Sequence, residues 1–474
     1  MTRPPSASLL EAFATLLGPK GYSVDPDAMA PWLTDWRGKY HGRAAAMLSP
    51  ATTGEVAAIV RLCAEAKVAL VPQGGNSGMV GGATPDASGD QLLLSLRRMN
   101  RIRQIDEAAQ LAIAEAGVIL ESIHNAVLAH GLRFPLTLGG KGSATIGGLV
   151  STNAGGTQVL RHGSMRALTL GVEAVLPDGS IFDGLAPLKK DNRGYDLRHL
   201  LCGAEGTLGI VTAASLRLVP AAAARRTAWI GIDSPESALL LLRRFDAAIG
   251  RELEGFELIP HSCLDAVLRH IPQTRAPLSA AQPWYVLLEL AGEDDRALGE
   301  ALEAQLAAAL DTGLIRDVVI AKSDRESEDF WRLRDSISEA ERVEGPALQH
   351  DISVPVDLMP AFIADNPARL AAAFPGVRAL SFGHLGDGNV HHHVQPPIGV
   401  DGATWLAEHG AAVSRLVYSH VLELGGSISA EHGIGQMKRD ILAELDSPAR
   451  LSALRGVKAG LDPAGLLNPG KLVA

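Results

Sequence analysis

Cysteine is scarce in this chain. Cys63, Cys202 and Cys263 are the only three among 474 residues. A scattered, odd-numbered set builds neither a disulfide framework nor a thiolate metal site, and it points to a reducing compartment. Long apolar runs are also missing. No window approaches the roughly 18 residues that a membrane helix needs, and Glu11 interrupts the Leu9–Leu17 run, which makes a poor signal peptide. The expectation is a cytoplasmic protein that does not span a membrane. Basic residues are not in excess: 43 Lys and Arg stand against 53 Asp and Glu, a formal net charge of −10. Nucleic acid is therefore not an expected partner. There is no fixed-period repeat and no low-complexity linker.

What is present is length, apolar content and glycine. A chain of 474 residues calls for two or three domains of roughly 100–200 residues each. Hydrophobic residues make up 47%, enough for real cores. The 50 glycines cluster at 74–82, 139–156 and 203–209, whereas 221–330 is richer in Ala, Leu, Arg and Glu. That shift puts a domain boundary near Pro220.

The first part reads as α/β. Thr52 and Glu55 form a capping box ahead of Val56, Ile59, Val60 and Cys63 at helical spacing. Strands are expected at 68–71, 92–96, 111–116 and 172–176, and a helix over 118–130 stopped at Gly131. The middle part alternates helices (235–250, 294–310) with strands (284–290, 318–321), which suggests a sheet with helices on one face. Ser447 caps a last helix that has Pro448 at its first position.

Three glycine runs carry the first chemical signal. Val71-Pro-Gln-Gly-Gly-Asn-Ser-Gly-Met-Val-Gly-Gly82 follows a strand, and its backbone N–H groups can converge on a phosphate. It matches neither the Walker pattern nor G-x-G-x-x-G opening a long helix. The stretch from Leu138 to Gly156 is almost all small residues. It is expected to lie flat against a large planar cofactor, not to build a core of large side chains, with Ser143, Thr152 and Asn153 as polar contacts. Gly203-Ala-Glu-Gly-Thr-Leu-Gly-Ile-Val211 repeats the style.

The second signal is Ser381-Phe-Gly-His-Leu-Gly-Asp-Gly-Asn-Val-His-His-His393. If 390–394 is a strand, His391 and His393 share one side and His392 takes the other. The Gly-Asp-Gly-Asn turn at 386–389 can fold His384 back toward His391. Two imidazoles and a carboxylate suit zinc, and also manganese or iron. Glu431, in Ser-Ala-Glu-His-Gly-Ile-Gly435, offers that carboxylate. Phe330–Ser338 reads as one helix, with Arg334 and Ser338 four apart on one face.

Pro72–Gly82, Ile146–Gly156, Gly203–Val211 and Leu467-Asn-Pro-Gly-Lys471 together resemble the FAD-binding motifs of the vanillyl-alcohol-oxidase (PCMH-type) flavoproteins. The histidine segment and Glu431-His432 resemble the FAD-dependent D-2-hydroxy-acid dehydrogenase branch of that family. The resemblance implies an α+β fold: a two-subdomain FAD-binding domain over 1–220, a ferredoxin-like substrate (cap) domain over 221–425, and a helical segment over 426–474 returning to the first. It implies non-covalent FAD, with Asn76 where some relatives carry a flavin-linking histidine. The cofactor residues it points to are Pro72, Gly74, Gly75, Asn76, Ser77, Gly78, Gly142, Ser143, Gly147, Gly148, Thr152, Asn153, Ala154, Gly155, Gly163, Glu205, Gly209, Ile210, Val211 and Asn468.

By the same resemblance His384, His391 and Glu431 are metal ligands, for zinc first and manganese second, and His432 is the base. A 2-hydroxy acid chelates the metal, His432 takes the hydroxyl proton, and the Cα hydrogen leaves as hydride to flavin N5. Arg334, Ser338, Gln349, Asn389 and His393 are the implied substrate residues. Two of these depart from the 2-hydroxyglutarate pattern: Gln349 stands where those enzymes have lysine, and His393 where they have asparagine. D-2-hydroxyglutarate, D-lactate and D-malate therefore all stay open as substrates. An electron-transfer flavoprotein or a quinone is the implied acceptor, and a homodimer the working expectation for assembly. The competing reading is a metal-independent FAD oxidase of the same fold acting on an alditol or a lactone.

Overall fold

The computed structural model describes residues 3–473, and it divides into two compact units. Unit 1 comprises Met1–Gly156, His162–Ala221 and Glu431–Ala474; unit 2 comprises Thr157–Arg161 and Ala222–Ala430.

Unit 1 holds two main sheets with separate cores, besides a small pairing of Leu132–Arg133 with Val219–Pro220. The first sheet is ordered Tyr22–Ser23, Ala46–Leu48, Leu92–Ser95, Leu70–Gln73, and the last three strands run parallel. The Thr53–Ala66 helix packs on it through Val56, Ile59, Val60 and Cys63, all buried. Its start follows from local chemistry: Thr52 Oγ1 accepts from Glu55 N, and Glu55 reaches back to Ala51 N, one residue earlier than the usual capping box. The second sheet is antiparallel, ordered Ile102–Asp106, Leu111–Glu115, Ile210–Arg217, Thr169–Val175, Ile181–Gly184. Its hairpin turn puts Gly179 at φ +79, where a side chain would be strained.

The 138–156 stretch differs from expectation. Ile146–Thr152 is a helix, and its Ile146, Leu149 and Val150 are buried in the core of the second sheet. Small residues dominate the stretch, but three of its four large apolar ones fall on one turn-spaced face, enough to anchor it.

Unit 2 is built on one antiparallel sheet of seven strands. Their order is Asp317–Ile320, Ala224–Ile232, Trp284–Gly292, Leu253–Pro260, Arg378–His384, Asn389–Gln395, Leu348–Ser353. Helices cover both faces, not one. On the first face His261–His270, Asp324–Asp335 and Ile337–Glu344 pack through Leu264, Phe330, Leu333, Ile337 and Ala340 onto Leu287 and Phe382. On the other, Met359–Ala373 and Gly402–Glu423 bring Phe362 to His392 and Tyr418 to His350. The single 330–338 helix is also corrected: the chain breaks at Ser336, between Asp324–Asp335 and Ile337–Glu344.

Candidate functional site

Register decides which side chains meet on the unit 2 sheet. Residues directly opposite one another in antiparallel strands share a face. His384 pairs with Asn389 and with Glu257, Phe382 with His391, and Leu380 with His393. Asp351 pairs with His391 and Gln349 with His393. One face therefore carries Glu257, His384, Asn389, His391, His393, Asp351 and Gln349 together. His392 goes to the opposite face, where it meets the Ser381 hydroxyl at 2.8 Å; there burial pushes its pKa well below the usual imidazole value.

His384 and His391 stand side by side, ring centroids 5.6 Å apart, and offer ring nitrogens within 4.8 Å of one another. Buried Glu257 fixes the orientation of His384 by accepting from Nδ1. The ring's lone pair then lies on Nε2, and Arg334 Nη2 donates to it from 3.1 Å. Arg334 Nε donates to the other oxygen of Glu257 at 2.9 Å. Burial pushes the Glu257 carboxyl up. The Arg334 guanidinium and the His384 imidazole overcome that and hold it at about 2. A carboxylate behind a histidine is the arrangement that fixes tautomer and ring angle for a metal ligand.

Asn389 uses its side-chain amide on Asp351 Oδ1 (3.1 Å) and on the Ile352 carbonyl (3.0 Å). It therefore holds the turn against the neighbouring strand. His393 donates from Nδ1 to Glu341 at 2.5 Å, and both are buried. Gln349 is half-buried opposite His393, and Ser338 is exposed on its own short helix. Glu257, Glu341 and Asp351 had no motif to mark them. The one available signal was the pair of acidic residues, Glu254 and Glu257, inside the otherwise apolar run Leu253-Glu-Gly-Phe-Glu-Leu-Ile259.

In unit 1 the glycine runs meet through backbone. A Cβ on Gly75 would lie 1.7 Å from the Ser143 carbonyl oxygen, and one on Gly74 would lie 2.2 Å from Thr145 Oγ1. Gly75, Gly142 and Ser143 line a cavity of about 390 Å³. Trp32 and Arg97 complete it, the guanidinium lying 3.3 Å over the indole ring. No sequence signal links positions 32 and 97 to the glycine loops.

Several residues expected at a cofactor tie the loops together. Asn76, at φ +54, donates to the Thr34 carbonyl. Thr152 donates to the Gly148 carbonyl, and Asn153 Oδ1 accepts from Ser164 Oγ and Arg166 N. Glu205 accepts from Ile434 N and Gly435 N at 2.7 and 2.8 Å; burial nevertheless pushes its carboxyl up. Asn468 donates to the Gly82 and Glu205 carbonyls. Gly147 packs on Ala116, Gly209 on Leu201, and Gly163 has φ +78. Ala154, Ile210 and Val211 are core residues. Pro72 lies in the strand that leads into the first loop, where Ser77 is half-buried and Gly78 exposed.

Glu431 and His432 are both half-buried and belong to the returning segment of unit 1. A Cβ on Gly155 would meet the Glu431 carboxylate at 2.7 Å, so the second glycine run passes directly beside it.

Comparison with known proteins gives two family matches, one before Ala221 and one starting there. Residues 44–184 match the family model described as FAD binding domain, and residues 221–472 match FAD linked oxidases, C-terminal domain. The chain belongs to the FAD-linked oxidases. Among curated relatives it is 38% identical over 461 residues to the mitochondrial D-2-hydroxyglutarate dehydrogenase of Arabidopsis thaliana, covering 97% of this chain and 80% of that protein. It is 37% identical over 476 residues to the D-2-hydroxyglutarate dehydrogenase of Xanthomonas citri pv. viticola, covering 100% and 97%. Among solved structures, 4-ethylphenol oxidase from Gulosibacter chungangensis superposes with a TM-score of 0.72 at 20% identity, covering 99% of this chain and 98% of that one, which shows the shared PCMH-type α+β fold.

Unit 1 of this FAD-linked oxidase fits the cofactor. Its glycine cradle admits a close backbone approach, the cavity between Gly75 and Ser143 is large enough for part of a dinucleotide, and the buried hydroxyl of Thr145 beside Gly74 has no protein partner among the described residues.

Proposed function

We propose that this chain is an FAD- and divalent-metal-dependent dehydrogenase that oxidises a D-2-hydroxy acid to the 2-oxo acid. The observation that carries the reading is the Glu257–His384–His391 set, two adjacent imidazoles on one sheet face with a carboxylate fixing the first. A metal-independent oxidase has no use for such a set. The two relatives described above are both D-2-hydroxyglutarate dehydrogenases by name.

Bound FAD supplies the two-electron acceptor for the Cα–H bond. His384 and His391, with Glu431, would hold a divalent ion, zinc or manganese, that polarises the substrate hydroxyl. Glu257, by accepting from Nδ1, would fix the tautomer in which His384 Nε2 can serve as a ligand once it leaves Arg334. His432, an imidazole and so suited to general-base work, takes the hydroxyl proton. Arg334 stays oriented by Glu257 and offers a planar donor edge to the substrate. A separate acceptor, an electron-transfer flavoprotein or a quinone, would take up the electrons.

The test is anaerobic. The flavin-loaded protein is mixed with D- and L-enantiomers of lactate, malate and 2-hydroxyglutarate, and flavin absorbance is followed. Bleaching by one or more D-acids and by none of the L-acids is expected. If no 2-hydroxy acid bleaches the flavin, the reading fails.

A further inference from the structure

The His393–Glu341 pair bears on which hydroxy acid is taken. On the reading that the hydroxy-acid end of the substrate is held at His384 and His391, its side chain extends along the same face. His393 lies two residues beyond His391, about 7 Å along the strand at roughly 3.3 Å per residue. That is the reach of the far end of a four- or five-carbon acid.

The charges at that end do not favour an anion. Glu341, 3% exposed, accepts from His393 Nδ1 through Oε2, and its Oε1 is buried with no hydrogen-bond partner among the described residues. The Nδ1–H of His393 is therefore already committed to Glu341. Gln349, directly opposite His393, is uncharged. Arg334 is the cation of the group, and Glu257 already balances it across 2.9 Å. A second substrate carboxylate would be desolvated here beside an unpaired carboxylate oxygen, with no unbalanced cation among the described residues of this face to compensate it. A methyl or hydroxyl group meets no such penalty, and a hydroxyl could donate to an imidazole or amide acceptor.

We infer that Glu341, acting through His393, restricts this enzyme to D-2-hydroxy monocarboxylates with an uncharged side chain and turns away dicarboxylates. Glu341 is a positioning residue in this account. It contacts His393 and need not touch substrate.

The experiment measures kcat and KM of the metal-loaded holoenzyme for D-lactate, D-glycerate, D-malate and D-2-hydroxyglutarate. The expected wild-type preference is at least about tenfold in kcat/KM for the monocarboxylates, the scale expected of an uncompensated buried charge. Glu341→Gln should raise the dicarboxylate-to-monocarboxylate ratio about tenfold, through KM more than kcat. Gln349→Lys, at a half-buried position tolerant of a long side chain, should move the ratio the same way and guards against misfolding of the first variant. A wild-type preference for a dicarboxylate, or a ratio unmoved in both variants, overturns the inference and leaves D-2-hydroxy-acid oxidation standing. Activity toward none of the four overturns both.

Discussion

The two units build their halves of the chemistry from different materials. In unit 1 the candidate cofactor site is mostly backbone: Gly74 and Gly75 are glycines because Thr145 and the Ser143 carbonyl occupy the space a side chain would need. In unit 2 the candidate metal face is all side chains, and its geometry depends on one buried carboxylate, Glu257, that grips both His384 and Arg334. Shape made from backbone fails through added atoms. A face made from charged side chains fails through lost partners. The two sites should therefore break in different ways.

The largest effect is expected in unit 1. Gly75→Ala places a methyl where the Ser143 oxygen is, so the loop cannot close. The purified variant should lack flavin, read as the ratio of flavin to protein absorbance, while metal content per folded molecule is unchanged. Retention of full flavin would show that the loop is not the cradle.

Next comes Glu257→Gln, which keeps the shape and removes the charge. Leaving Arg334 and His384 without a buried counter-charge should cost about 3–5 kcal/mol in denaturant unfolding, and metal affinity should fall about 10–100-fold by equilibrium dialysis. Flavin content should stay at the wild-type level. Simultaneous loss of flavin would erase the contrast between the two units.

Lys471 sharpens it from the other side. This lysine of unit 1 is buried, its ammonium has no hydrogen bond or ion pair among the described residues, and burial brings its pKa down to about 8. A lysine depressed in the folded state penalises folding while it is charged. Stability should therefore rise as pH climbs from about 8 toward the unfolded value near 10.5, by up to about 3 kcal/mol. In Lys471→Met that rise should vanish from the pH dependence of unfolding. A parallel dependence in both proteins would mean the ammonium is already compensated.

The smallest effect should come from Ser338→Ala. Ser338 is exposed and lies on a helix separate from that of Arg334. Stability should change by less than about 0.5 kcal/mol, and kcat/KM by less than about threefold. A larger fall in kcat/KM would restore the serine as a substrate contact.

Much of this was legible in the chain, and the exceptions have physical causes. Periodicity and caps placed the helices at Thr53–Ala66, Pro235–Ile249, Asp295–Asp311 and Pro448–Leu461 to within a few residues, because each starts at a side chain that satisfies its first N–H groups. Strand alternation around His391 separated His392 from its neighbours. The break at Ser336 escaped notice because Ser, Ile and Ser are all tolerated in a helix, and only packing decides where it bends. The core role of Ile146, Leu149 and Val150 was masked by the glycines between them. Glu257 and Glu341 were out of reach for a different reason: they meet the histidines through strand pairing and helix packing, 127 and 52 residues away in sequence.

The central claim is that a metal held by the unit 2 imidazoles must act together with the flavin. The most direct measurement is the rate of anaerobic flavin reduction by a D-2-hydroxy acid, in holoenzyme stripped by a chelator and again after zinc or manganese is restored, with His432→Ala alongside. The account predicts fully oxidised flavin in the stripped enzyme, recovery on restoring the metal, and no reduction in the variant despite bound FAD. Equal reduction rates with and without metal would contradict it.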